Sequence, residues 1–257
     1  MTGPLPRFAY AQARLAARFG GRASEADWAR LAATADAGSL VDAAKRTPLG
    51  RYLAGTSADQ SIHAVEKSLR DAWRSEVAEV AGWYPARFRP VFAWLSVLPL
   101  LSAMTHLLGQ GAAQPWMSNE PQLAPFITET SEDMAKRLTD AGLKDLLPAV
   151  SGEPSVVSCW LRHWKSLWPA SAKDRLEMET FLAGILVKRD HQDGLALVFG
   201  DLDDARNVLA RVFRRHQRSI AGALAYLGLS AIDLMRLRGE IAVRKLLPAT
   251  EPGRVAA

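Results

Sequence analysis

An all-α protein is predicted by three features of this sequence: its alphabet, its helix punctuation and the period of its apolar residues. Alanine, leucine and arginine dominate while β-branched residues are sparse, a bias toward helix over strand. Serine and aspartate recur in helix-start patterns, with glycine and proline at the stops. Where a long run is legible, its apolar positions repeat at three and four residues, and no run alternates with period two. At 257 residues, 49% hydrophobic and 23% charged, the chain has the make-up of a folded protein with ample core.

The elements follow from the punctuation. Ser24-x-x-Asp27, Ser39-x-x-Asp42, Ser171-x-x-Asp174 and Ser230-x-x-Asp233 have capping-box form, the hydroxyl accepting an orphan N–H and the acid reaching back. Thr47-Pro48 is a further start, with proline at the first helical position. Stops are expected at Gly20-Gly21, Gly38, Gly55, Gly82, Gly109, Gly142, Gly194 and Gly228, and at Pro148, Pro169 and Pro248. Roughly ten helices result. The longest is expected from Ala58 to Val80, burying Ile62, Val65, Leu69, Trp73, Val77 and Val80. Glu66, Lys67, Arg70, Asp71, Arg74, Glu76 and Glu79 are assigned to its solvent face. The stretch from Gly194 to Gly200 is too short to build a sheet alone.

From Pro90 to Asn119 there is no charged residue, and the length approaches that of a membrane span. Pro99 interrupts it, His106 and several hydroxyl residues dilute it, and no second span is expected, so a buried helix kinked at Pro99 is predicted. The proline-containing loop after it suggests a division into residues 1–108, a linker at 109–128 and residues 129–257, within one continuous globular unit. Trp116 in that loop is expected to pack back onto the fold. The start of the chain lacks a basic segment followed by an apolar core, so no secretory signal is read there. With Cys159 as its single cysteine, the chain has no internal disulfide framework and fits a reduced setting.

Catalytic signatures are missing. There is no phosphate-binding loop, no nucleophile elbow and no paired zinc-ligand motif, so no cofactor, metal or catalytic residue is assigned. His63-x-x-Glu66 is read as a solvent-facing salt link and Cys159 as a small buried hydrophobe. Trp160, Trp164 and Trp168, at four-residue spacing, could stack bases but read first as a core stripe. Net charge is +5. Its excess is concentrated between Ala205 and Leu246, where Arg206, Arg211, Arg214, Arg215, Arg218, Arg236, Arg238, Arg244 and Lys245 face only Asp233 and Glu240. Such a stretch suits an acidic protein, anionic lipid or nucleic acid, or else solvated helix faces.

The order of the N-terminal elements resembles the AC39 family, the V-type ATPase subunit called C in bacteria and archaea and d in eukaryotes. The resemblance rests on Tyr10-x-x-x-Arg14 with Arg18, the Leu31 to Leu40 turn, Thr47-Pro48-Leu49, and Val65-Glu66-x-x-Leu69. Later segments similar to the family are Leu176-x-x-Glu179-x-x-Leu182, Ala225-Tyr226-Leu227 and Leu234-x-Arg236-Leu237. Around Leu100 to Met104, apolar and small residues stand where the family carries a D-x-x-N-L-type helix. The resemblance implies V-shaped helical lobes, as pseudo-repeats, forming a funnel on the cytoplasmic face of the membrane. It implies a non-catalytic connector between central-stalk subunits and the proteolipid ring, peripheral rather than membrane-spanning. Arg211, Arg214, Arg215 and Arg218 are the candidate partner contacts. The alternative is an all-helical nucleic-acid-binding or scaffold protein using the same basic stretch, with nucleic acid the less expected partner.

Overall fold

The computed structural model describes residues 8–57, 59–109, 111–128, 130–151, 155–186 and 202–246. The expectations at Ala58, Gly194 to Gly200, Pro248 and the first residues of the chain lie outside them. Every regular element among the described residues is helical. In order they are α1 (Ala9–Gly20), α2 (Glu25–Ala32), α3 (Ala37–Lys45), α4 (Ile62–Gly82), α5 (Arg89–Leu95), α6 (Leu101–Leu108), α7 (Pro115–Ser118), α8 (Ser131–Asp140), α9 (Val156–Ser166), α10 (Ala172–Leu186), α11 (Leu202–Arg215) and α12 (Ile220–Leu246). Tight 3-10 turns at Pro48–Tyr52, Ala86–Phe88, Leu98–Leu100, Ala124–Phe126 and Lys144–Ser151 join them.

The long closing helix α12 is the axis of the packing. It lies against α11, α4, α10, α3 and α1, so the last described helix packs on the first. From Ile220 to Leu229 nearly every side chain is buried. Helix α12 and the stretch Ala86–Leu108 are both long and apolar enough to cross a membrane by length and composition, which corrects the expectation of no second span. Their composition has another sufficient cause. The apolar window of α12 is 78% buried inside the protein and that of Ala86–Leu108 50%, so each serves as core.

Local chemistry sets several boundaries. Ser24 forms a complete capping box: its Oγ accepts from Asp27 N at 3.1 Å and Asp27 Oδ2 accepts from Ser24 N at 2.8 Å. Ser61 caps α4, with its Oγ accepting from Ala64 N at 3.2 Å. At α3 the cap is Asp36, whose Oδ1 accepts from Ser39 N at 2.9 Å, so Ser39 is not the cap and Gly38 lies in the first turn instead of ending a helix. Ser230, Asp233 and Gly228, expected at boundaries, all fall inside α12. A β-carbon on Gly228 would sit 2.9 Å from Leu209 Cδ1, so this glycine lets α11 cross α12 closely.

Pro99 does more than kink a helix. It separates α5 from α6 through the 3-10 turn Leu98–Leu100. Three tryptophans fasten this broken stretch to α9. Trp94 Nε1 donates to Trp160 O at 3.0 Å, Trp160 Nε1 to Trp94 O at 3.3 Å, and Trp164 Nε1 to Val91 O at 3.1 Å. Trp160, Trp164 and Trp168 are all buried, as a core stripe should be. The expected linker 109–128 holds α7 and the turn Ala124–Phe126, and buries Met117, Leu123 and Phe126. Trp116 packs back, its ring stacked with His63 at 5.6 Å and lying under the Arg70 guanidinium at 5.4 Å.

Candidate functional site

Two sets of arginines organise the polar chemistry, one turned inward to carboxylates and one turned to solvent. The inward set centres on Glu76. The carboxylate was assigned to the solvent face of its helix, yet it is only 4% exposed. The physical reason lies in its register. Glu76 is three residues after Trp73 and four before Val80, which places it at the edge of the apolar stripe that α12 covers.

Four side chains from three elements reach that carboxylate. The hydroxyl of Tyr52, at the end of the Pro48–Tyr52 turn, donates to Oε2 at 2.7 Å. The hydroxyl of Tyr226, from α12, donates to Oε1 at 2.5 Å. Arg18 of α1 and Arg51 of the turn each bring a guanidinium nitrogen to 3.3 Å from Oε1. Arg51 also donates to the Tyr226 hydroxyl at 3.1 Å and to that of Tyr52. Arg18 grips both oxygens of Glu79 at 2.7 Å. Thr47 holds the turn in place, its Oγ1 accepting from Leu49 N at 3.2 Å ahead of Pro48.

Electrostatics keeps the donors of this hub protonated. Burial, then the negative field of Glu76, pushes the Tyr226 hydroxyl up to about 12, and the same causes push Tyr52 higher. Both tyrosines therefore remain donors around neutral pH. Burial opposes the charge of Arg51, but Tyr52, Glu76 and Tyr226 outweigh it and hold the guanidinium more firmly protonated than usual. A base or nucleophile must be free to exchange its proton with a bound molecule. Glu76 has both oxygens engaged by donors, so the hub is a fastening.

A second fastening lies nearby. Arg22, just past α1, makes a two-pronged contact with Asp233 inside α12, at 2.8 Å from Nε and 2.7 Å from Nη2. Both side chains are less than a tenth exposed. Arg70 similarly ties α4 to the buried Glu120 of the 109–128 segment at 3.0 Å.

The basic stretch from Ala205 to Leu246 is divided by the fold. Arg206 and Arg236 pair with Glu25. Arg238 binds Glu66 at 2.6 Å, and Lys245 donates to the Gln60 carbonyl at 2.5 Å. Arg244 donates to Thr34 O at 2.8 Å and Ala32 O at 2.9 Å, closing the C-terminal end of α2. Arg211, Arg214, Arg215 and Arg218 remain, all exposed around the end of α11 and the turn into α12. Among the described residues none of these four has a carboxylate partner. Arg214 lies over the Phe19 ring at 5.8 Å, and Phe19 itself stacks on Phe213 at 4.2 Å.

The other candidates fall where packing or solvent puts them. His63 Nδ1 is 3.7 Å from Glu66, but only the imidazole is exposed; the Glu66 carboxylate is largely covered, so the link is not the solvent-facing one expected. Cys159 is 1% exposed, and burial pushes its thiol up. No cluster of three metal-ligating side chains occurs among the described residues. A cleft of about 290 Å³ lies beside α6 and α8, lined by Leu107, Leu108, Phe126, Met134 and Val150 together with Thr128, Thr130 and Ser131, and its surface is somewhat more polar than apolar. It holds no acid, base or nucleophile in a catalytic arrangement. Sequence reasoning missed the hub because Glu76 carries a charge. The signal available was its spacing from Trp73 and Val80. No family model matches this chain, and no curated protein matches it.

Proposed function

We propose that the chain is a non-catalytic connector subunit of a V-type rotary ATPase, joining central-stalk subunits to the proteolipid ring on the cytoplasmic face of the membrane. The observation that carries the reading is a convergence. The segments that resemble the AC39 family are distant in sequence, yet four of them meet at Glu76: the Tyr10 to Arg18 helix, the Thr47-Pro48 turn, the helix containing Val65-Glu66-x-x-Leu69, and the closing helix with Tyr226. A connector must pass force without yielding. A buried, fully hydrogen-bonded carboxylate shared by the first and last helices resists relative movement of those helices. Lobes of the V-shaped, funnel-forming kind belong to the same proposal.

The experiment is recovery of a tagged protein from native membranes. The reading expects rotary-ATPase stalk and ring subunits to accompany it, and a chaotropic wash without detergent to release it. Recovery as a free protein, from cells that contain an assembled rotary ATPase, overturns the reading.

A further inference from the structure

We infer that Arg211, Arg214, Arg215 and Arg218 form a docking site for an acidic helical segment of a protein partner. The inference deepens the connector reading by naming the chemistry of one contact, and its test uses the purified protein, so each can fail alone.

The argument begins with what the fold leaves unmatched. Of the nine basic residues between Ala205 and Leu246, five are neutralised or hydrogen-bonded inside the molecule. The four that remain fall within eight consecutive residues and have no carboxylate among the described residues. Arg211 and Arg215 are one turn apart on α11, and Arg211 and Arg214 three residues apart, so like charges sit side by side. The α11 C-terminal dipole offsets part of that repulsion. Among the described residues no carboxylate offsets the rest.

The size of the cluster selects the partner. Nucleic-acid binding commonly recruits about 6–10 phosphate contacts along a groove, often with exposed aromatic rings for stacking. Here the site is limited to four guanidiniums at one helix end, and the nearby Phe213 is buried. The exposed large apolar side chains of the described residues are Tyr10, Leu176, Met235, Val243 and Leu246, none of them on α11 or its following turn. A lipid surface would therefore find no apolar side chain to insert beside the arginines. Carboxylates on successive turns of a helix lie about 5–6 Å apart, the spacing at which Arg211 and Arg215 leave α11. Each guanidinium can also take a carboxylate in two-pronged fashion. Arg214, held over the Phe19–Phe213 stack, is already partly ordered for such a contact.

The test is fluorescence anisotropy at low salt with three probes: a labelled acidic helical peptide carrying glutamates at four-residue spacing, a single-stranded DNA of equal charge, and phosphatidylserine-containing vesicles. Wild-type protein is expected to prefer the peptide. The triple variant Arg211→Glu, Arg215→Glu, Arg218→Glu should bind it at least about tenfold more weakly, as three reversed surface pairs would give. A control triple at other exposed sites, Arg46→Glu, Lys136→Glu, Arg137→Glu, changes net charge equally and should bind almost as the wild type does. Thermal melts establish that both triples are folded. Lack of peptide binding, equal loss in both triples, or preference for DNA or vesicles would overturn the inference.

Discussion

Arginine plays opposite parts in two regions of this molecule. Around Glu76 and Asp233, Arg18, Arg22 and Arg51 are turned inward against carboxylates and tyrosine hydroxyls from distant helices. At the end of α11, Arg211, Arg214, Arg215 and Arg218 are turned outward with no acid paired to them among the described residues. The residue type is the same, and the fold supplies the counter-charge in one place and withholds it in the other. The difference teaches that a basic stretch in a sequence is not a basic patch on a surface until the fold has taken its share.

The largest expected effect tests the inward set. Asp233→Ala leaves the Arg22 guanidinium buried without its partner and should lower unfolding free energy by about 3–5 kcal/mol in urea titration. A loss below about 1 kcal/mol would place Arg22 among the outward arginines.

Tyr226→Phe removes one donor from Glu76 while keeping the ring, and should cost about 1–2 kcal/mol at neutral pH. It also changes the alkaline limb. The Tyr226 pKa is raised in the folded state, so its contribution is fully present below the unfolded value of about 10 and fades as pH climbs toward about 12. The variant should therefore lose stability less steeply than the wild type across that window, as followed by circular dichroism.

A smaller effect is expected outside both arginine sets. Ser24→Ala breaks the α2 capping box and should lower stability by about 1 kcal/mol, with Asp233 and Glu76 untouched. Additivity of Ser24→Ala with Tyr226→Phe, within about 0.5 kcal/mol, would show that cap and hub act separately.

Much of the helical plan was legible, for reasons that are local. The α4 stripe, the Ser24 box and the Thr47-Pro48 start depend on neighbours within a few residues, and such patterns survive in any all-α packing. What misled were residues whose roles depend on partners far along the chain. Ser230 and Asp233 have capping-box spacing, but α11 and α4 pack on α12 so completely that the helix runs through them, and Asp233 pairs with Arg22 instead. Gly228 looked like a stop because glycine ends helices, and here it serves the approach of Leu209. Glu76 looked solvent-facing because it is charged. Its neutralising partners come from Arg18, Arg51, Tyr52 and Tyr226, and no local pattern reports them. The four candidate arginines are exposed, while the five others in the same stretch became internal ties.

The most direct test of the division between inward and outward arginines compares two variants in parallel chemical denaturation. Glu76→Ala leaves two buried tyrosine hydroxyls without their acceptor and takes one carboxylate partner from Arg18 and Arg51, and should cost about 3 kcal/mol or more. The triple Arg211→Glu, Arg215→Glu, Arg218→Glu should stay within about 0.5 kcal/mol of wild type. Comparable losses in the two variants, or a neutral Glu76→Ala, would contradict the account.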